Sequence, residues 1–425
     1  MERAAADGGR PLRIALTSYR SKPHCGGQGV YIRHLSRELH ALGHEVEVLS
    51  GQPYPELDRD IDGRGPTLTK VPSLDLYRDD DPFRTPHPRE IRTPLDLLEV
   101  AMMWTAAFPE PLTFSLRVAK VLKGRDTRPD VVHDNQTLGY GMLLLQRAGF
   151  RVLATLHHPI SEDRRHDLAA AKRLKKISTL RWYSFLTMQR RVVRRLPAVL
   201  TVSQNSLVDI VRDFQVPQAH ITVVPVGVDT DVFAPPAVPR VPGRIVATAS
   251  ADVPLKGLVP LLEAVAKLRT ERDVELVVVG RPKVGGTALR AIERLGLEDA
   301  VRFVTGVTEQ ALVELFGSAQ VGVVPSLYEG FSLPAVELMA CATPLVATTA
   351  GALPEVVGPD GVTALHVRPN DPEALAAAVA RLLDDPVLAA RIGAAGRERV
   401  VERFTWRSVA EQTVTWYRTN LEATT

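Results

Sequence analysis

The sequence predicts an α/β protein of two domains, each a doubly wound parallel sheet with helices on both faces. Strand and helix patterns alternate from one end to the other, and the rhythm restarts after a proline-rich break. Length agrees, because 425 residues exceed what one hydrophobic core normally supports.

An apolar run at 12–17 reads as the first strand. After a glycine-rich loop, residues 30–42 have helical periodicity that stops at Gly43, and 45–49 is the next strand. Further buried strands are predicted at 130–133, 152–156, 199–202 and 221–224, with helices between most of them. The stretch 229–244 is rich in proline and poor in core residues, which suits an extended linker. Beyond it come a strand at 245–248, a helix at 258–268, and strands at 275–279, 301–304, 321–324 and 344–347. The domains are therefore set at 1–228 and 229–403, and a cleft between two such units is the default ligand site.

Composition narrows the function. Apolar residues make up 45% and charged residues 24%, which is ordinary for a globular protein. Cys25 and Cys341 lie far apart and in no metal or redox spacing, so a reducing, cytoplasmic setting is expected. The opening MERAAADGGR lacks an apolar stretch and reads as neither a secretory signal nor a spanning helix. A formal charge of +3 is too small to argue for nucleic acid as a partner. No dinucleotide fingerprint follows either first strand, and no GK[ST] follows the early glycines, so a nicotinamide oxidoreductase and a P-loop enzyme are both excluded.

Two segments carry candidate chemistry. Gly26 and Gly27 follow the first strand and open a helix; glycines there let backbone amides approach an anion at a helix N-terminus, although a tight strand-to-helix turn needs the same residues. In the second half, Tyr328-Glu329-Gly330-Phe331-Ser332-Leu333-Pro334 leads into a helix that contains Glu337. Pro334 suits the first helical turn, so amides near Ser332 and Leu333 point out of the helix end. Carboxylates beside an anion site would repel it, so hydroxyls of a sugar or ribose are the natural partners of Glu329 and Glu337. The alternative is that either glutamate merely caps the helix or forms an ion pair.

At these residues the sequence resembles the retaining glycosyltransferases of family 4, whose architecture is the two-domain GT-B fold, two Rossmann-like units facing a central cleft. Glu329 and Glu337 meet the E-x7-E pattern within an EGFSLPAVE block, and the resemblance extends to the N-terminal GG, to Gly43, His44 and Val46, to the 224–229 junction and to Phe404–Trp406. It covers nearly the whole chain. It implies hexosyl transfer from a UDP- or GDP-sugar to an acceptor hydroxyl, metal-independent, with front-face attack and no cofactor beyond the nucleotide diphosphate sugar as co-substrate. Residue by residue, it gives Glu329 the donor-sugar hydroxyls, Glu337 the ribose, and the amides of Gly330, Phe331, Ser332 and Leu333 the diphosphate and sugar. Lys256 matches the diphosphate-clasping lysine, Val307 the base contact and His157 a position near the sugar. With Glu329 and Lys256, His157 completes the expected catalytic set. The family usually has an arginine where this chain has Ala251, and Arg281 or Arg244 is the candidate substitute. The acceptor is open among sugar, lipid-linked and natural-product classes. Domain closure is the expected gating step, and the helix at about 404–425 is expected to pack back on the first domain. A nucleotide-sugar 2-epimerase and a non-catalytic sugar-binding protein are the competing functions; the first would turn over donor without acceptor.

His157 and His158 do not suit a metal, since neighbours on an extended segment point apart and no third ligand is near. Asp79-Asp80-Asp81 resembles an acidic metal motif of the other large transferase class but sits in a proline-rich loop, where a solvated charge run is the expectation. Residues 164–195 carry eleven Lys or Arg against one acid, Asp167, interleaved with Trp182, Tyr183 and Phe185. Three readings stand: a basic amphipathic helix on an anionic membrane at the inner face, an electropositive cleft for a phosphorylated acceptor, or a plain structural helix. The apolar stretch 101–114 belongs to the same domain.

Overall fold

The computed structural model describes residues 9–21, 27–78, 80–235, 237, 239–249 and 253–422. The chain forms two compact units. The first comprises Met1–Val202, Ser206–Val224 and Val409–Thr425; the second comprises Ser203–Asn205 and Pro225–Ser408. Gly26, Asp79 and Ala251 lie outside the described residues.

In the first unit the strands are β1 (Arg13–Ser18), β2 (Glu45–Ser50), β3 (Thr67–Lys70), a small antiparallel pair β4 (Tyr77–Arg78) and β5 (Asp81–Pro82), then β6 (Val131–Asn135), β7 (Val152–Thr155), β8 (Val199–Thr201) and β9 (Ile221–Val223). Seven of them make one parallel sheet in the order β3-β2-β1-β6-β7-β8-β9. The second unit holds β10 (Val241–Thr248), β11 (Glu275–Val279), β12 (Val301–Val304), β13 (Ala319–Val324), β14 (Leu345–Thr348) and β15 (Leu365–Val367), ordered β12-β11-β10-β13-β14-β15. The central strands are buried on both faces, which is why they read as apolar runs and not as alternating ones.

The linker expectation needs correction at its end. Residues 241–244 belong to β10, not to an extended connection. Pro242 and Gly243 sit at an irregularity in the pairing with β13, where a strand tolerates both residues. Gly243 is left-handed at φ 72, and its amide donates to Gln320 Oε1 at 2.6 Å. The run Asp80-Asp81 is exposed, as expected of a solvated charge run, but it lies in the β4–β5 hairpin, where Arg78 pairs with both carboxylates.

Each sheet has one place where neighbouring strands send their connections in opposite directions. β1 leads to β2 on one side while β6 flanks it on the other, and β10 and β13 repeat the arrangement. Ligand crevices of doubly wound sheets open at the carboxyl ends of such a pair. Polar residues collect there. His133, Asp134 and Asn135 end β6 and are all buried; Asp134 accepts from Thr17 Oγ1 at 2.9 Å and from the Leu138 amide at 2.7 Å. The long helix Trp406–Glu422 adds Tyr417, fully buried, whose hydroxyl lies 2.5 Å from His133 Nδ1.

Candidate active site

On the second unit, the turn after β10 and the loop after β13 are locked together. Gly257 is left-handed at φ 63, and a Cβ there would sit 1.9 Å from Pro325 O, so only glycine lets the two segments approach. The Leu327 amide donates to Leu255 O at 2.7 Å. This brings Lys256 Nζ to 2.8 Å from Glu329 Oε1, and Ser326 Oγ donates to the same oxygen at 2.7 Å. Oε2 of Glu329 has no partner among the described residues. The Glu329 backbone is held as well: its carbonyl accepts from the Ala352 amide at 2.9 Å, and Thr348 Oγ1 donates to Ser326 O at 2.5 Å.

Gly330 follows, its carbonyl accepting from Ser203 Oγ at 2.7 Å, and Phe331 is buried edge-to-face on Phe404 at 5.7 Å. Ser332 then takes φ 99 and ψ 82, a conformation that costs a non-glycine residue on the order of 1–3 kcal/mol, and its buried hydroxyl has no partner among the described residues. The strain turns the chain sharply into the helix Leu333–Ala340. Amides of the first helical turn have no intrahelical acceptor and carry the positive end of the helix dipole. Glu337 lies one turn in, half-buried. Desolvation, followed by the negative charge of Glu309, pushes its carboxyl up to about 7.

Arg281 is exposed in the turn after β11, with no ion-pair partner among the described residues, and Val307, 37% exposed, follows β12. Lys256, Arg281, Val307 and Glu329 thus stand at the carboxyl ends of four adjacent strands. Arg244 does not join them. It lies in the amino-terminal half of β10, bound to Glu275 Oε1 at 2.5 Å and Ser318 Oγ at 2.9 Å, so it is no substitute for the cation absent at Ala251.

On the first unit, Gly27 opens the helix Gly27–Ala41, exposed, and a Cβ there would meet nothing within 4 Å. His157 follows β7. Its amide donates to Gln136 Oε1 at 2.8 Å, and its Nε2 lies 2.8 Å from Asn135 Oδ1. Burial, then the neighbouring His158 and His133, take its pKa down to about 3, so the ring is neutral. The Asn135 amide nitrogen is turned towards Ser18 Oγ and Gln28 O, both at 3.5 Å, which leaves Oδ1 as acceptor for His157. Nε2 therefore carries the proton, and Nδ1 keeps a lone pair that can accept from a hydroxyl.

Sequence reasoning missed Ser326, Asn135 and Gln136. The signal for the last two was in view: the polar run HDNQT closing an otherwise apolar strand.

The basic segment is not one amphipathic helix. It forms three helices, Ser161–Ala170, Arg173–Trp182 and Phe185–Val193. Its aromatics turn inward: Tyr183 and Phe185 are buried, and Trp182 packs 5.0 Å from Phe108 and 5.5 Å from Tyr77. Among the described side chains of the segment the exposed large apolar ones are Ile177 at 64% and Leu180 at 52%, and Arg181 Nε donates to Thr105 O beside Trp104, itself 70% exposed.

Two Rossmann-like units of this kind define the GT-B class of glycosyltransferases. Residues 25–232 match the family described as Glycosyltransferase Family 4, and residues 237–399 match Glycosyl transferases group 1. The chain belongs to glycosyltransferase family 4 and is a glycosyltransferase. It is 57% identical to the MMP alpha-(1->4)-mannosyltransferase of Mycolicibacterium hassiacum, over 96% of this chain and 98% of the relative. Among solved structures it resembles sucrose-phosphate synthase from Thermosynechococcus elongatus, with a TM-score of 0.71 at 25% identity over 96% and 99% of the two chains. The fold is also that of Anabaena HepE in complex with UDP, with a TM-score of 0.68 at 16% identity over 96% and 100%.

Proposed function

We propose that this enzyme transfers a mannosyl unit from a nucleotide diphosphate mannose to an acceptor hydroxyl in α-(1→4) linkage, with retention and without a metal ion. The name of the 57% identical relative supports the sugar and the linkage, and an acceptor of the kind that name gives, MMP, is the first to test. The observation that carries the chemistry is the contact of Lys256 with Glu329 beside the helix end at Leu333. One Lys256 proton is engaged by Glu329, and two remain for oxygens of the β-phosphate. As the bond from the anomeric carbon to that phosphate breaks, negative charge grows on the leaving diphosphate. Lys256 and the first-turn amides then bind it more strongly than they bind the ground state. The acceptor oxygen forms its bond to the anomeric carbon on the same face, and its proton passes to the departing phosphate. Glu329 orients the donor through Oε2, the oxygen not taken by Lys256 and Ser326, and Glu337 receives the ribose hydroxyls. The neutral His157 offers Nδ1 to a hydroxyl of a reacting sugar.

A thermal-shift panel of GDP-, UDP-, ADP- and TDP-sugars tests the reading, with the largest rise expected for a mannose diphosphonucleotide. Product formation should persist in excess EDTA, and donor should not epimerise in the absence of acceptor. A panel with no stabilising donor sinks the proposal.

We also propose that the outer face of Arg173–Trp182 touches an anionic lipid surface. Ile177, Leu180 and Trp104 are exposed beside Lys175, Lys176 and Arg181, apolar residues to enter the interface and cations to meet phosphate. Co-sedimentation with acidic vesicles should fall with raised salt and with Trp104→Ser/Ile177→Ser. Equal binding to neutral vesicles ends this reading.

A further inference from the structure

The first unit contains a second concentration of charge, away from both sheet edges described above. A hollow of about 270 Å³, open to solvent, lies among three helices: Ser161–Ala170 supplies Arg164 and Arg165, Phe185–Val193 supplies Arg190, and Gln204–Phe214 supplies Arg212 and Asp213. Four guanidinium groups thus meet one carboxylate among the described lining residues.

The four are not equivalent. Asp213 accepts from Arg212 at 2.8 and 3.1 Å, from Arg165 at 3.1 and 3.4 Å, and from the Ser161 hydroxyl. Burial opposes its ionisation, but Arg212, Ser161 and Arg165 together hold its carboxyl well below the usual carboxylate range. Its lone pairs are therefore spent on Arg165 and Arg212. Among the described residues Arg164 and Arg190 have no carboxylate. Among the same residues Arg190 reaches only the neutral amide oxygen of Gln215, and the Nε of Arg164 and the Nε of Arg190 are both buried with no acceptor.

A buried donor left without an acceptor forfeits its hydration with nothing in return, the more so on a charged group, and here two such donors lie at one cavity. A tetrahedral dianion supplies the acceptors. Its oxygens match the guanidinium fork, it answers two unpaired positive charges, and the cavity is large enough for a phosphoryl group but small for a nucleotide sugar. The neighbouring basic hollow lined by Tyr140, Arg147, Arg191 and Arg195 has no buried orphan donor, so charge alone does not single out the first cavity.

We propose that Arg164 and Arg190, backed by Arg165 and Arg212, form a binding site for a phosphate monoester. The site is independent of the glycosyl-transfer reading. The group could belong to a soluble phosphorylated sugar or to a lipid headgroup, which share this chemistry.

The test titrates the full-length protein with inorganic phosphate and with glycerol 3-phosphate at constant ionic strength, followed by thermal shift. It also measures sedimentation on vesicles containing phosphatidic acid or, at equal surface charge, phosphatidylglycerol. A Lys256→Ala background separates this site from phosphate bound at the donor face. A saturable response is expected in wild type and in Lys256→Ala, weakened at least tenfold in Arg164→Gln/Arg190→Gln, while the KM for donor stays at its wild-type value. Arg164→Lys/Arg190→Lys keeps the charge and should keep part of the binding, which guards against a variant that merely misfolds. Saturation by glycerol 3-phosphate assigns a soluble ester; a preference for phosphatidic acid that the double glutamine variant loses assigns a headgroup. If chloride matches phosphate at equal ionic strength, or the glutamine variant titrates like wild type, the proposal is overturned.

Discussion

Gly351 touches no expected ligand, yet its replacement by alanine should cripple the enzyme. It is left-handed at φ 55, and an added Cβ would lie 2.3 Å from Glu329 O and 2.9 Å from Glu329 N. Both neighbours are backbone, so relief requires the Glu329 segment to move by about 1 Å. Left-handed backbone costs alanine roughly 1–2 kcal/mol, and loss of the bond from the Ala352 amide to Glu329 O adds about 1 kcal/mol. The sum, about 2–3 kcal/mol, corresponds to a fall of roughly 4–12 °C in the melting of a unit this size. Displacing a positioned group by about 1 Å costs on the order of 100-fold in rate. Gly361→Ala is the matched control: φ is 70, in the same unit, but nothing lies within 4 Å of the added Cβ. It should lose about 1–2 kcal/mol of stability and retain kcat/KM. Calorimetry and steady-state transfer with the best donor decide the matter. If Gly351→Ala stays within threefold of wild-type kcat/KM, the carbonyl contact does not position Glu329 and the reasoning fails.

Lys256→Ala should lower kcat by about 100- to 1,000-fold with a smaller change in KM, the pattern expected when charge stabilisation is realised mainly in the transition state. A loss confined to KM would show instead that the lysine only binds. The Glu337 carboxyl, raised to about 7, should make donor affinity fall roughly tenfold per pH unit below 7, because the ionised form is the better acceptor for hydroxyls, and Glu337→Gln should flatten that slope in a KM–pH profile. The same raised value has the opposite sign for the free protein. Its contribution to folding is present below the ordinary glutamate value and lost as pH rises towards 7, so the donor-induced thermal shift should grow between pH 6 and 7.5. Arg281→Ala should raise donor KM several-fold while leaving kcat nearly unchanged if this exposed cation meets the diphosphate; an unchanged KM removes it from the site.

The strands and the EGFSLP segment could be read from sequence because each is a local signal. Apolar runs such as ELVVV in β11 have to be strands buried on both faces, and Pro334 marks a helix start without any tertiary knowledge. What could not be read is pairing. Nothing near Arg244 says that Glu275 and Ser318 occupy it; the answer lies on the adjacent strand β11 and at the end of the helix Glu309–Ser318, 31 and 74 residues away. The basic segment misled for a related reason. Trp182 and Phe185 looked like surface aromatics because arginines surround them, but Phe108 and Tyr77, which cover Trp182, arrive from distant chain.

Lys256 and Glu329 are 73 residues apart and still meet at 2.8 Å, and the reason is topological. β10 and β13 are neighbours in the sheet, and their following connections run to opposite sides, so the ends of the two strands are left facing each other with no helix between them. Any residue placed just after either strand falls into that gap. Sterics then fix the distance: Gly257 against Pro325 on one side and Gly351 against Glu329 on the other leave no slack for the loop to drift. Ser332, itself at φ 99, turns the chain into the helix end. A polar site with a short ion pair beside strained backbone is expensive to maintain in a free protein, and on the proposed reading the unused Glu329 oxygen is the group left to meet the donor sugar.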